Sequence, residues 1–352
     1  MRDDKDGKKK IVHVTNPRKH PVRKEAKMKA LRIVWLICGI ICVAYLAVAQ
    51  AQEKYPNRPI ELVVPMAPGG NADVIARIYS EELARILKVP VNVVNRGGGA
   101  AIQGTTYVIN AKKDGYTLLA APGTPITIMP TISSEVTYDP LKDLIPLGQI
   151  ASIPSLFAVQ SESPFKTLDE LIEYARKNPG KLKNCAAGLG AESQFNLEIL
   201  SAHNKIKITT IPYKSGGEAL PALLGGHVDM ASLSLSTLGS QIKAGKLRGL
   251  AIASKARHPD FPNIPTTAEV GHGYVCLLIW TGAFAPAGVP QSILDVLIPT
   301  IEKTFKHPDV VDRAKKASFT MEFRGPEEFR KFIESDIKVV QQVAKDANIP
   351  KQ

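Results

Sequence analysis

The sequence predicts an α/β fold made of two units in which strand, glycine turn and helix alternate. Three such turns follow short apolar strands between residues 60 and 123, at Gly69-Gly70, at 97–99 and at Gly123. This alternation is typical of a parallel sheet with helices on its faces. A second alternating unit begins at Thr167, and 352 residues suffice for two domains of moderate size.

The first unit opens with a predicted buried strand at Ile60–Val64. Asn71 is predicted as the N-cap of a helix that runs to about residue 87, with Asp73 in its first turn. The glycine turn before this helix is chemically suited to bind an anion, because the first helical N–H groups lack intrahelical acceptors. Two alternatives stay open: an ordinary turn without a ligand, and an Asp73 that only caps its helix.

Further elements follow the same alternation. Two strand-like runs meet at Ile153-Pro154, which predicts one extended segment, within 140–160, that crosses between the domains. A strand at 247–254 is predicted near the crossing back, and the final helix, from Pro326, presents an apolar face that we assign to the core. The other predicted strands are 91–95, 116–121, 183–187, 208–212, 228–234 and 282–285. The other predicted helices are 101–111, 168–175, one that opens at 188–193 and carries Phe195 to Leu200, and 218–224.

The N-terminus has the pattern of an export signal. Residues 1–32 hold twelve basic and four acidic residues, so they account for +8 of the net charge of +12, and a nucleic-acid partner is not indicated. A sixteen-residue apolar run at 33–48 precedes Ala49-Gln50-Ala51, which predicts cleavage after Ala51. Met28 is a natural start, which would make 1–27 an extension. The alternative is an uncleaved membrane anchor, for which the run is short.

Cysteine use fits an exported protein without a disulfide framework. After cleavage only Cys185 and Cys276 remain, both among apolar residues. Two buried thiols are the expected arrangement, and a single bridge between them stays open.

The sequence lacks the motifs of a dinucleotide-binding site and of the common catalytic sites. The glycines from Gly97 to Gly104 do not match G-x-G-x-x-G, because position 102 is Ile102. The five histidines beyond residue 51 show no H-E-x-x-H or zinc spacing, and no G-x-S-x-G elbow occurs. We therefore expect no cofactor, no metal and no enzyme.

Motifs spread from Tyr55 onward identify the chain as resembling the Bug family of extracytoplasmic solute receptors. This family is the substrate-binding component of tripartite tricarboxylate transporters. The matching motifs are Y-P-N-R-P-I from Tyr55, V-V-P-M-A-P-G-G-N-A-D at 63–73, V-N-R-G-G-G-A at 94–100, D-G-Y-T-L-L at 114–119, G-L-G-A-E-S at 188–193, I-P-Y-K-S-G-G at 211–217 and G-G-H-V-D-M at 225–230.

The resemblance implies a two-lobed periplasmic binding protein (Venus flytrap) fold, an α/β fold with crossing hinge strands. Lobe 1 is expected at 52–150 and 250–352, and lobe 2 at 151–249, after an N-terminal extension and signal peptide at 1–51. The implied protein is a periplasmic, monomeric receptor that captures a small organic, carboxylate-bearing solute and delivers it to membrane permease subunits. A sensor that reports to a signalling partner is the alternative, and a small-molecule enzyme is a more remote one.

The resemblance also implies where the solute binds, mainly through backbone groups and ordered water. The lobe 1 residues are Ala67, Pro68, Gly69, Gly70, Asn71, Asp73, Ala121, Pro122, Gly123 and Thr124. The lobe 2 residues are Gly188, Leu189, Gly190, Ala191, Ser193, Gln194, Tyr213, Lys214, Ser215, Gly216, Ser232 and Ser234.

Four positions depart from the usual family pattern. Met66 replaces an aromatic residue, Gly97 a proline, and Gln194 a histidine, and Leu233 lies where an acidic residue is common. Loss of a histidine and of a carboxylate changes the polar groups that face the far end of a ligand. The departures therefore bear on the identity of the ligand.

Overall fold

Strands and helices alternate along the chain from Tyr55. The computed structural model describes Trp35, residues 55–188, residues 190–346, Ile349 and Lys351. The predicted signal peptide, apart from Trp35, lies outside the described residues, as does Leu189 of the predicted site. In the described parts of the chain, no helix combines the length and the apolar composition needed to cross a membrane.

The described residues form nine strands and eleven helices, with one π-helical turn at Thr124–Ile128. The strands are β1 (Ile60–Val64), β2 (Val91–Asn95), β3 (Thr117–Pro122), β4 (Leu144–Gln160), β5 (Lys183–Ala186), β6 (Thr209–Pro212), β7 (Met230–Ser234), β8 (Leu247–Ile252) and β9 (Leu278–Pro286). The helices are α1 (Asn71–Leu87), α2 (Ile102–Ile109), α3 (Met129–Ile132), α4 (Pro140–Asp143), α5 (Leu168–Lys177), α6 (Glu192–Asn204), α7 (Gly216–Leu224), α8 (Leu235–Lys243), α9 (Gln291–Phe305), α10 (Pro308–Lys316) and α11 (Pro326–Asp346).

The strands are joined in the order β2-β1-β3-β9-β4-β7-β5-β6, with β8 also pairing with β4. The βα units give parallel pairs: β1 with β2 and β3, and β5 with β6 and β7. Strands β4 and β9 run antiparallel to their neighbours. Glycine turns follow the carboxyl ends of β1, β2 and β3 in one half and of β5 and β6 in the other. Ligands bind at such strand ends in sheets of this kind.

The long strand β4 joins the two halves of the fold. Its residues 144–154 pair with β9, and its residues 155–160 pair with β7 and β8. The change of partner comes directly after Ile153-Pro154, the point at which the sequence predicts a crossing. We call the half built on β1, β2, β3 and β9 lobe 1 and the half built on β5 to β8 lobe 2.

The strand pairing favours a return to lobe 1 later along the chain than residue 250. Strand β8 pairs with the lobe 2 part of β4. Leu250, Ala253 and Val275 are buried in one apolar cluster with residues of α5 and α6, which belong to lobe 2. Leu278, in β9, is the residue that pairs with Pro154. We therefore propose that the return crossing lies at β9 rather than near residue 250.

Helix α11 contributes to the core of lobe 1, as its apolar face predicts. Phe329, Ile333 and Val340 are buried, and the Phe329 ring lies edge-on to Trp280 with 5.3 Å between the ring centroids. Cys185 is a buried thiol and Cys276 a half-buried one, and neither is in a disulfide. Cys185 is thus the expected buried thiol, whereas Cys276 is more exposed than expected.

Candidate functional site

Two adjoining cavities lie between the glycine turns of the two lobes. The small cavity has a volume of about 60 Å³ and the large cavity one of about 860 Å³. Six residues line both, and they come from both lobes: Met66, Ala67, Thr124, Ala187, Ala191 and Lys214. A ligand that occupied the cavities would therefore contact both halves of the protein.

The turn between β1 and α1 is fixed by the carboxylate of Asp73. This carboxylate accepts hydrogen bonds from Gly69 N at 2.9 Å, from Asn95 Nδ2 at 2.9 Å, and from the Arg77 guanidinium, with which it forms an ion pair at 2.8 Å. Although burial raises the pKa of Asp73, these donors together hold it below its usual value. Asp73 is 3% exposed and lines neither cavity, so its side chain shapes the turn from behind.

Asn71 was predicted as the N-cap of α1, and this is wrong: Gly70 is the N-cap and Asn71 is the first helical residue. The reason is that the Asn71 side chain forms hydrogen bonds with lobe 2 instead of with the backbone of its own helix. Its Oδ1 accepts hydrogen bonds from Ser234 Oγ at 3.1 Å and from Ser236 Oγ at 2.7 Å. Thr237 Oγ1 lies 2.8 Å from Ser234 Oγ, so a small hydroxyl cluster of lobe 2 faces this amide.

The N-terminus of α6 is held in place by buried polar groups of lobe 2. Ser232 Oγ donates to the carbonyl of Ser193 at 2.6 Å, and Ser232 N donates to Asn184 Oδ1 at 2.7 Å. Gln194 Oε1 accepts from Gly190 N at 3.1 Å. Ser232 is fully buried and lines neither cavity, so it positions α6.

Glu192, the first residue of α6, brings a buried carboxyl group to the small cavity. It is 5% exposed; its Oε2 lies 3.4 Å from Thr124 Oγ1 in lobe 1, and its Oε1 has no hydrogen-bond partner. Burial, and to a smaller extent the nearby Asp336 carboxyl, raise the pKa of Glu192 to about 7. Burial likewise raises the pKa of Asp336, which accepts a hydrogen bond from Trp280 Nε1 at 3.1 Å.

Gly123 is required at this point because of close packing. A Cβ atom on Gly123 would lie 2.8 Å from Glu192 Oε1 and 2.9 Å from the Trp280 ring. Only a glycine therefore lets β3 approach α6 this closely.

Three helix N-termini meet at the small cavity. They belong to α1, through Gly70 and Asn71; to α6, through Glu192 and Ser193; and to α7, through Ser215 and Gly216. The first N–H groups of each helix lack intrahelical acceptors, and the helix dipole is positive at that end. The small cavity therefore has the chemistry of an anion site built mainly from backbone.

Most of the residues predicted for the site line one of the cavities, and a few lie behind the lining. The residues that line at least one cavity are Ala67, Gly70, Asn71, Pro122, Thr124, Gly188, Gly190, Ala191, Ser193, Gln194, Tyr213, Lys214, Ser215, Gly216 and Ser234. The described residues that line neither are Pro68, Gly69, Asp73, Ala121, Gly123 and Ser232.

Several lining residues were not predicted, mainly those of the large cavity. Besides Met66, Gly97 and Glu192, the chief ones are Met129, Ile132, Glu135, Phe195, Glu198 and Ile349. The apolar positions looked like ordinary core in the sequence. Glu192 stood inside a quoted motif, but no sequence pattern signals that a first-turn glutamate is buried.

The fold and the site define a two-lobed solute-binding protein. The family model described as "Tripartite tricarboxylate transporter family receptor" matches residues 75–349. The chain belongs to this family, and the predicted family resemblance is confirmed. Because the family consists of receptors for solutes, the prediction that the protein is not an enzyme is also confirmed.

Curated relatives match most of the chain. A "UPF0065 protein in tcbD-tcbE intergenic region" of Pseudomonas sp. (strain P51) is 35% identical over 79% of this chain and 83% of its own length. Protein BugT of Bordetella pertussis is 30% identical over 88% of this chain and 96% of its own length.

Solved structures of similar proteins share the fold. The periplasmic binding protein BugD is 30% identical, with a TM-score of 0.79 over 85% of this chain and 100% of its own. An R. palustris protein with adipate is 27% identical, with a TM-score of 0.80 over 84% and 99%. MatC from Rhodopseudomonas palustris with bound malate is 28% identical, with a TM-score of 0.77 over 82% and 99%. The predicted two-lobed periplasmic binding protein fold is confirmed by these neighbours.

Proposed function

We propose that this protein is an exported receptor that captures a small carboxylate-bearing solute and delivers it to a tripartite tricarboxylate-type permease. The convergence of three helix N-termini on one small cavity is the observation that carries the proposal. A carboxylate there accepts backbone hydrogen bonds from both lobes, and the helix dipoles stabilise its charge. Lys214 adds a cation at the rim, since it lines both cavities.

The side chain of Asn71 adds a polarised donor to the same place. With its Oδ1 occupied by two hydroxyl groups of lobe 2, its Nδ2 group has no protein acceptor among the described residues and is available to a solute. These hydrogen bonds link Asn71 of lobe 1 to hydroxyl groups of lobe 2. Such coupling favours lobes that close around a ligand.

The relatives support the chemical class of the solute and the route of delivery. Two structural neighbours are described with adipate and with malate, both carboxylates. The family name supports a permease partner, and the apolar run and A-x-A motif ending at Ala51 support export to the periplasm.

A thermal-shift screen of carboxylates, each paired with its neutral amide, tests the binding proposal. A ligand that binds only the native state raises the unfolding temperature, and the rise grows with the logarithm of its concentration above Kd. We therefore expect stabilisation by carboxylates and not by their amides. Equal stabilisation by a carboxylate and its amide would contradict the anion site.

The variant Gly70→Val tests whether the carboxylate binds in the small cavity. A Cβ on Gly70 would meet only the carbonyl oxygen of Ala67, at 3.5 Å, so the variant should fold. We expect it to lose the stabilisation, because added side-chain volume fills a cavity of about 60 Å³. Gly325→Val is the matched control, because no atom lies within 4 Å of a Cβ there. Full stabilisation of folded Gly70→Val would remove the small cavity from the site.

A further inference from the structure

The large cavity differs in chemistry from the small one that it adjoins. Its volume of about 860 Å³ lies in the range of pockets that hold drug-sized ligands. Its wall is largely apolar and comes from both lobes; the principal apolar side chains are Met66, Met129, Ile132, Phe195 and Ile349. A solute with its carboxylate in the small cavity would place its remaining atoms against this wall.

The charges of the large cavity oppose a second anion. Among the described residues that line it, the charged side chains are Lys214, Glu135 and Glu198. Lys214 also lines the small cavity, whereas both glutamates line the large cavity alone. The cation is therefore shared by both cavities, and these two glutamates lie away from the small one. The acidic group of the small cavity is Glu192, whose pKa is raised to about 7, mainly by burial, which reduces its negative charge.

Glu198 is the more constrained of the two acidic groups. It is half-buried on α6, one turn after Gln194. The Gln194 side chain accepts a hydrogen bond from Gly190 N and forms another with the Glu198 carboxyl. Burial raises the pKa of Glu198, and the Gln194 hydrogen bond only partly opposes this. A second carboxylate beside Glu198 would add like-charge repulsion to a site that already disfavours negative charge.

We propose that the solute of this receptor is a monocarboxylate with an apolar body, and that Glu198 and Glu135 discriminate against dicarboxylates. The proposal rests on the proposed function, because it assumes that a carboxylate occupies the small cavity. It assigns the apolar body to the Met66, Met129 and Phe195 side of the large cavity. It separates this chain from the neighbours described with adipate and malate, which are dicarboxylates.

Isothermal titration calorimetry with matched acid pairs tests the proposal. The pairs are hexanoate with adipate, octanoate with suberate, and 4-methylbenzoate with terephthalate; each pair shares a carbon skeleton and differs by one carboxylate in place of a methyl group. We expect at least one monocarboxylate to bind about tenfold or more tighter than its dicarboxylate partner. The proposal would be overturned if, in every pair that binds, the dicarboxylate bound as tightly as its partner, or if dicarboxylates bound and no monocarboxylate did.

Charge-removing variants assign the discrimination to its residues. Glu198→Gln should bring the affinities of the best pair to within about threefold of each other, and the exposed Glu135→Gln should shift them in the same direction. Glu173→Gln on α5 is the matched control, because Glu173 is exposed and lines neither cavity. An unchanged ratio in both cavity variants would contradict the assignment. The proposed function fails separately, if no mono-, di- or tricarboxylate binds at all.

Discussion

Replacing Glu192 with glutamine should remove a pH dependence from the stability of this protein. The Glu192 carboxyl is buried where α6 meets Gly123 and Thr124 of lobe 1, and one of its oxygens has no hydrogen-bond partner. Although the dipole of α6 favours its ionised form, burial and the Asp336 carboxyl dominate and raise its pKa from 4.5 to about 7.

The sign and size of the effect follow from this shift. Because the folded state holds the Glu192 proton more tightly than the unfolded state, the free energy of unfolding falls as pH rises from about 4.5 to about 7. Below about pH 4.5 Glu192 does not lower the free energy of unfolding, and above about pH 7 its full effect is present. A shift of this size corresponds to about 3 kcal/mol at most, at about 1.4 kcal/mol for each pKa unit.

Urea unfolding at pH 5, 6, 7 and 8 measures this dependence in wild type and in Glu192→Gln. We expect the wild-type free energy of unfolding to fall over this range and the variant's to fall less, by up to about 3 kcal/mol. The burial of Asp336 acts in the same direction and should leave the variant a remaining slope. Glu173→Gln, an exposed control, should follow wild type. Parallel curves for wild type and Glu192→Gln would refute the reasoning.

Three further predictions concern the first-lobe turn and the N-terminus. Asp73→Asn weakens the hydrogen bonds from Gly69 and its neighbours, and we expect it to lower the free energy of unfolding by about 2 kcal/mol in urea titrations; no change would mean that the turn is held otherwise. Asn71→Ala removes the acceptor of two hydroxyl groups of lobe 2, and calorimetry should show roughly tenfold weaker solute binding; unchanged affinity would argue against Asn71 as a binding group. Sequencing of exported protein should begin near Gln52, and a sequence that still contains Trp35 would contradict cleavage.

The local parts of the fold could be predicted from the sequence because their signals are local. Apolar runs and glycine turns predicted β1 and α1, and Ile153-Pro154 predicted where β4 changes partners. The pairing of β4 with β9, on which we base the proposed return crossing, could not be predicted, because strand pairing depends on residues far apart in the chain. Position 250 looked like a crossing only because it follows the lobe 2 helices in order.

The candidate site likewise has features that could be predicted from the sequence and features that could not. Backbone turns that line the cavities were predictable from glycine and N-cap chemistry, which accounts for Gly70, Gly190 and Gly216. The roles of polar side chains were not: Asp73 supports its turn from behind, and Glu192 is buried against the other lobe. Both outcomes depend on tertiary packing, which no motif encodes.

A crystal structure with a stabilising monocarboxylate is the most direct test of the central claim, that backbone groups at three helix N-termini hold the solute. We expect the carboxylate oxygens about 3 Å from backbone nitrogens at the starts of α1, α6 or α7, with the body of the solute in the large cavity. A carboxylate bound away from the small cavity, with its charge met by side chains elsewhere, would contradict the account.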